Sequence, residues 1–381
     1  MSAHATLSTL QLRSSAGLYG ADRMVLTLAQ ALSGRQVASR LLSINNYRMR
    51  GQPLHDAARA RGQDAVLLPC NGRFDPRTIR ALASQLQPGG GQVLHAHDYK
   101  SAFYAWLATR HQRRPMVATL HGWVGGTTSM RLYNRVELAV LRRFDALVVV
   151  AAEQAERLHR AGIPRQRIHP IDNAIELPAQ ASDADVVDRR HELRLDGAGF
   201  VFGAVARLSP EKNLGQLIEA FRPIAQARPD ARLLIVGDGP AREELVALCR
   251  QSSLARQVRF AGNRDDMHAI YPLIDCVVLP SLSEGMPLVV LEAMSRGMPV
   301  VASAVGDVPR LLQHASHARL VPPGDAAALT QAMDAAFALR GRHDAAAKAY
   351  VLAHHSPSVM ADNYTTLYQQ LLRDEHGRAA A

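Results

Sequence analysis

Along the chain, short runs of apolar, often β-branched residues alternate with longer stretches in which apolar residues recur every three or four positions. The first pattern marks strands buried on both faces and the second marks helices that cover them, the arrangement of a parallel sheet. Residues 276–303, CVVLPSLSEGMPLVVLEAMSRGMPVVAS, are the most complete instance. Two apolar runs, CVVLP and MPVVAS, flank a helical stretch, so the spacing predicts strand, tight loop, helix, strand. Pro287 suits the first helical turn, where its missing N–H costs nothing, and Gly297 followed by Pro299 is a helix stop. Glu284 falls in the loop before the helix and Glu292 eight residues later inside it; on a helical count the pair lies within about 80° on one face, roughly 12 Å apart along the axis. That is too far for a shared proton. It suits two contacts along an extended polar ligand over a helix N-terminus, where free N–H groups and the dipole favour a phosphate.

The alternation extends in both directions. Residues 6–12 form the first apolar run, followed by SSAGLYGADRMVLTLAQAL, a glycine-containing loop and a helix with Met24, Val25, Leu28 and Leu32 at helical spacing. Gly17 and Gly20 permit a sharp turn and close approach to a ligand, and a plain connection reads the same way. Strands are expected at 64–69, 92–97 and 115–122. His97 and His121 fall at strand C-terminal ends, where open α/β sheets keep their ligand crevice, and each reads as a ligand contact or as a structural histidine. His121 is followed by Gly122, Gly125 and Gly126, a loop able to open toward a ligand. Residues 130–144 read as a helix carrying Arg131, Arg135, Arg142 and Arg143, which would lie against anionic lipid or pack on the sheet. Residues 178–188, PAQASDADVVD, are poor in bulky apolar side chains and read as a linker. Alternation restarts at 200–208 and continues through 231–245, 257–263, the 276–303 unit and 318–325. The tail, HHSPSVMADNYTTLYQQLL, reads as an amphipathic helix. The fold class expected is α/β, two successive doubly wound, Rossmann-like domains with a cleft between them.

Composition narrows the class. A chain of 381 residues suffices for two domains with separate cores. No apolar run reaches the ~18 residues of a transmembrane helix, and the N-terminus lacks the charged start and apolar core of a secretory signal. Cys70, Cys249 and Cys276 are scattered and show no C-x-x-C spacing, which predicts buried free thiols and a reducing cytoplasm. The net charge of +10 is uneven. Residues 1–178 carry 23 Lys and Arg against 11 Asp and Glu, net +12, whereas residues 179–381 carry 21 against 23, net −2. The first half therefore meets something anionic, or its arginines reflect coding bias and solvate surface helices. No zinc-finger, basic-zipper or aromatic RNA-binding signature accompanies the charge, so nucleic acid is not expected.

In the second half, candidate chemistry gathers after the strands. Arg207 and Lys212, five residues apart in ARLSPEK, form either a diphosphate clamp, with one fork and one point charge, or a solvated loop pair. Gly237 and Gly239 in GDGP permit close approach to a ligand. Arg242 occupies the third glycine position of a dinucleotide fingerprint, and the loop at Gly17 does not match that motif either, so a nicotinamide oxidoreductase is not supported.

Together, ARLSPEKN, LLIVGDGPAREEL, VRFAGN and EGMPLVVLEAMSRGMPVVAS resemble the retaining glycosyltransferases of family 4, with the GT-B fold. The order and spacing match over nearly the whole second half, and the Glu-x7-Glu element is the most specific part. SSAGLYGADRM, TLHG and DNAIEL resemble the first half of the family more loosely, and the closing helix resembles one that crosses back onto the first domain. The resemblance implies an acceptor-binding domain of residues 1–178 plus about 360–381, and a nucleotide-sugar domain of residues 179–359. It implies that Arg207 and Lys212 hold the donor diphosphate, that Glu292 takes the ribose hydroxyls, and that Glu284 with Gly285, Met286 and Leu288 orders the sugar. Gly237 would also line the donor site, His121 would lie beside the sugar, and Gly17 and Gly20 would approach its phosphate. One departure stands out: where the family has adjacent glycines before Ala-Glu, this chain has Tyr19-Gly20-Ala21-Asp22. The activity implied is metal-independent hexosyl transfer with retention, from a UDP- or GDP-sugar and without a cofactor. The acceptor implied is a glycan or lipid-linked glycan of bacterial surface or exported polysaccharide, and the charge asymmetry adds a peripheral membrane location on the cytoplasmic face. A non-catalytic nucleotide-sugar or partner-binding protein on the same scaffold is the alternative.

Overall fold

A computed structural model describes residues 7–46, 49–87, 91–121, 136–176 and 180–380. The Gly122, Gly125 and Gly126 loop and the first part of the arginine-bearing helix expected at 130–144 lie outside the described residues. The chain divides into two compact units, one of Met1–Ile175 with Pro357–Ala381 and the other of Glu176–Ser356.

The first unit contains a seven-stranded sheet: β1 (Ser8–Ser14), β2 (Ala38–Ile44), β3 (Ala65–Leu68), β4 (Gln92–Ala96), β5 (Met116–Leu120), β6 (Ala146–Val149) and β7 (Ile168–Pro170). Its order is β3-β2-β1-β4-β5-β6-β7, and every pairing is parallel. The second contains β8 (Phe200–Val205), β9 (Ala231–Val236), β10 (Val258–Gly262), β11 (Cys276–Leu279), β12 (Val300–Ser303) and β13 (Ala318–Val321), ordered β10-β9-β8-β11-β12-β13. Each sheet reverses direction once, between β1 and β4 and between β8 and β11. The loops that leave those strands diverge to opposite faces there and leave a crevice at the strand C-terminal ends.

The period of two along the strands decides what each face buries. In the first unit Leu10, Leu12, Leu94, Ala96, Ala118 and Leu120 pack on one face with Tyr104 and Phe144. Val93 and Val117 belong to a second cluster with the helix Gly20–Ser33 and with Met360, Tyr364, Leu367 and Tyr368 of the closing helix Pro357–Ala380. The intervening positions Thr9, Gln11, His95, His97 and Thr119 are polar and buried. All three cysteines are buried free thiols. Among the described residues no helix is long and apolar enough to cross a membrane.

One expectation is overturned. Much of the stretch read as a linker is the helix Asp183–Glu192, opened by Ser182, whose hydroxyl accepts from Asp185 N while Asp185 returns a bond to Ser182. This reciprocal cap satisfies donors that would otherwise be orphaned. The helix buries no side chain, so it needs no apolar stripe and offers none to read.

Candidate functional site

At the reversal point of the second sheet, the chain leaves β8 through the exposed Arg207 and makes a 3-10 turn at Pro210–Lys212. Asn213 then adopts a left-handed conformation, φ 51°, before the helix Leu214–Ala227. Asparagine is among the few residues that enter that region readily. The turn aims Lys212 at the loop leaving β11. Its Nζ donates to both oxygens of Glu284, at 2.7 and 2.9 Å, while Ser281 Oγ donates to Oε1 at 2.6 Å. The two side chains are only 21% and 8% exposed, so the pair lies in a medium that screens it weakly. Leu282 N donates to Glu211 O at 2.8 Å and ties the two loops along their backbones.

Glu284 lies in the loop before the helix, as the sequence predicts. The helix spans Leu288–Ser295 and Pro287 is its N-cap, not a residue of its first turn. The helical angle and rise expected between Glu284 and Glu292 therefore do not apply, because a proline-terminated loop separates the two carboxylates. Gly285 and the buried Met286 lead into the helix, which Leu288 opens. Glu292 is one turn further along. It accepts from the Tyr271 hydroxyl, and Arg296 stacks 4.1 Å over the Tyr271 ring while donating to Glu292 O at 2.8 Å. A third loop holds the Glu284 backbone from behind: Asp307 N donates to Gly285 O at 2.9 Å, and a Cβ on Gly306 would lie 2.2 Å from Glu284 O.

Gly237 is also constrained by its backbone neighbours. With φ +126°, a Cβ there would sit 2.0 Å from Ala206 O, and one on Gly239 would sit 2.4 Å from Leu208 O. The glycines let the loop after β9 lie backbone against backbone on the Arg207 loop, where Leu208 N donates to Asp238 O at 3.0 Å.

In the first unit, polar groups gather where the sheet reverses between β1 and β4. Arg13 Nε donates to the buried Asp22 at 2.8 Å and its Nη1 to His97 O at 2.6 Å. Burial works against the charge of Arg13, yet Asp22 and Asp98 outweigh it and raise its pKa. Asp22 also accepts from Tyr19 N at 2.9 Å, and Asp98 accepts from Ser14 N at 2.7 Å and from Ser101 N at 2.9 Å. The loop of Gly17 and Gly20 is thus pinned at both ends. A Cβ on Gly17 would meet the Tyr19 ring at 2.6 Å, so the tyrosine that departs from the family pattern lies across this glycine, and Gly20 opens the helix. His121 follows β5, with Nε2 3.2 Å from His97 Nδ1.

The structure therefore brings Lys212 and Glu284 together, with Arg207 on the same loop as Lys212, and sets Glu292 against Tyr271. His121 is joined to His97. Sequence reasoning missed the partners: Ser281, Tyr271 and Asp307 in the second unit, and Gln11, Arg13, Asp22, His95, Tyr364 and Tyr368 in the first. The signal for some was present, since Gln11, His95 and His97 interrupt otherwise apolar strands at every second position.

Two parallel sheets of this order, each with charged and polar residues collected where the order reverses, define the GT-B class of α/β proteins. The chain belongs to family 4 of the glycosyltransferases. Residues 19–178 match the model described as Glycosyltransferase Family 4, and residues 199–338 match the one described as Glycosyl transferases group 1. The alpha-D-kanosaminyltransferase of Streptomyces kanamyceticus is 28% identical over 303 residues, 74% of this chain and 78% of that protein. The UDP-Gal:alpha-D-GlcNAc-diphosphoundecaprenol alpha-1,3-galactosyltransferase of Escherichia coli is 28% identical over 224 residues, 56% of this chain and 58% of that protein. Among solved structures, Anabaena HepE in complex with UDP and glucose superposes with a TM-score of 0.84 at 20% identity, covering 95% of this chain and 99% of that one. The protein is a glycosyltransferase.

Proposed function

We propose that this enzyme transfers a hexose with retention from a UDP- or GDP-sugar to a hydroxyl of a lipid-linked or growing glycan. The observation that carries the reading is the contact of Lys212 with Glu284 at the reversal point of the second sheet, on the loop that also bears Arg207. Breaking the anomeric C–O bond puts negative charge on the leaving diphosphate, and preorganised cations that meet it need no reorganisation as the bond breaks. Arg207 and Lys212 supply that charge from side chains in place of a metal. In the free enzyme Glu284 balances Lys212; when the diphosphate takes the lysine, the carboxylate is released to accept from sugar hydroxyls. Glu292, oriented by Tyr271, takes the ribose. His121 takes a hydroxyl of the sugar, Gly17 and Gly20 approach its phosphate, and the first unit carries the acceptor.

We also propose a peripheral membrane location, from the basic charge of the first half of the chain. Between Ala65 and Pro115 the chain carries seven Lys and Arg against two Asp, of which Arg114 is buried and Arg77 and Arg113 pair with Asp75 and Asp145. Phe74 and Tyr99 are exposed, and Phe74, Phe103 and Trp106 form a row of rings at 6.2 and 5.9 Å with Arg110 over Trp106. Aromatic rings interspersed with cations suit an anionic headgroup layer. The E. coli relative, whose name specifies a diphosphoundecaprenol-linked substrate, supports the same acceptor class.

A thermal-shift panel of UDP-, GDP- and ADP-sugars, followed by assay of nucleotide release, tests the reading. One class of nucleotide sugar should stabilise the protein, and slow release of the free diphosphate should accompany it. Stabilisation by a donor with no release in the presence or absence of glycan acceptors would favour a binding protein on the same scaffold.

A further inference from the structure

Eight polar residues of the first unit, most of them buried, form one continuous chain. Tyr368 OH on the closing helix lies 2.7 Å from His95 Nδ1, and His95 Nε2 lies 2.7 Å from Thr119 Oγ1, which contacts Tyr364 OH at 2.9 Å. From Tyr368 the chain also runs the other way. Gln11 Nε2 donates to Tyr368 OH at 3.3 Å and to Thr9 Oγ1 at 3.1 Å, Gln11 Oε1 meets His97 Nε2 at 2.7 Å, and His97 Nδ1 meets His121 Nε2 at 3.2 Å.

The chain has a direction. A buried amide must place two N–H groups, and this orientation gives both a hydroxyl partner; the reverse would leave one of them facing no acceptor. With Gln11 Oε1 turned to His97, His97 Nε2 must carry the proton. Its Nδ1 is then a lone pair, so His121 Nε2 must be the donor across the 3.2 Å contact. His121 Nδ1 is left as an acceptor, and it is buried with no partner among the described residues. The argument needs neutral rings. Burial lowers the proton affinity of His97, with His95, His121 and Arg13 adding to the effect; burial, Arg13 and His95 lower that of His121. We propose that Tyr368, Gln11 and His97 are positioning residues that fix His121 in the Nε2–H tautomer, so that Nδ1 is presented as the acceptor for a hydroxyl of the donor sugar. The tautomer rests on these contacts and on neutral rings within the first unit; only its use on a sugar rests on the glycosyltransferase reading. The device would let one hydroxyl on the closing helix control the polarity of a site residue 247 positions away in sequence.

Long-range 1H–15N correlation on the full chain labelled at histidine, with His121→Gln assigning the signal, reads the tautomer without any ligand. The wild type should show His121 protonated at Nε2 and bare at Nδ1. Tyr368→Phe removes one partner of the Gln11 amide, and Gln11→Leu removes the acceptor for His97, so each should give a mixture of tautomers. Each should also weaken binding of UDP-glucose, or of whichever nucleotide sugar the wild type binds best, by roughly fivefold. If Gln11→Leu does not fold, the single-atom change Tyr368→Phe carries the same readout. A wild-type His121 protonated at Nδ1, or one whose tautomer is unmoved by either variant, overturns the proposal. A tautomer that responds as stated in a protein that binds no nucleotide sugar upholds the positioning and overturns the functional reading.

Discussion

At the scale of residues, the ionisable groups of the two units answer to different physics. Lys212 and Glu284 are charged partners held at 2.7 Å in partial burial, and removing either leaves the other with a desolvated charge. His95 is the opposite case: fully buried and neutral, with burial depressing its pKa to about 3. In the unfolded chain the same ring titrates near 6.5, so below that pH the unfolded state binds a proton that the native state refuses. His95 therefore contributes fully above about pH 6.5, and its contribution falls by about 1.4 kcal/mol per pH unit as acid is added, until its native pKa is reached. Urea denaturation between pH 7 and pH 5 should show a loss of roughly 2 kcal/mol from this residue, absent in His95→Gln. An unchanged slope in that variant would place the acid sensitivity elsewhere. Individual residue types were legible in the sequence but their partners were not. Gln11 and Tyr368 are 357 residues apart, and nothing local reports that one reaches the other.

At the scale of elements, the strand–helix alternation was legible because parallel strands buried on both faces must be apolar throughout. What escaped was set by surroundings. The Asp183–Glu192 helix has no buried face, so only its Ser182 cap announces it. The loop after β9 has the glycines of a ligand loop, yet the requirement comes from Ala206 O and Leu208 O next door. Two substitutions separate these causes. Gly237→Ala combines a disallowed φ of +126° with a carbonyl 2.0 Å away and should cost about 3 kcal/mol or more. Gly262→Ala, at φ +68° with open space around it, should cost only about 1–2 kcal/mol. Equal shifts in denaturation midpoint would mean that the loop yields and that the close approach does not hold the Arg207 turn.

At the scale of the whole molecule, the division of charge was readable from composition, and its expression as a surface was not. Arg131 and Arg135 of the helix expected at 130–144 lie outside the described residues, while Arg142 and Arg143 are exposed; elsewhere in the unit Phe74 and Tyr99 are exposed and Arg110 lies over Trp106. Flotation with anionic liposomes should recover the protein at low salt and less of it at physiological salt, because screening shortens to about 8 Å. Phe74→Ser with Trp106→Ser should reduce recovery at both. No association at either salt would remove the membrane from the account. The central claim is that one loop of the second unit meets the leaving diphosphate, and turnover tests it most directly. Lys212→Ala and Arg207→Ala should each lose about 10²–10³ in the rate of nucleoside diphosphate release, with the circular dichroism of the folded protein retained. Release at the wild-type rate by either folded variant would contradict the assignment of that residue to the clamp.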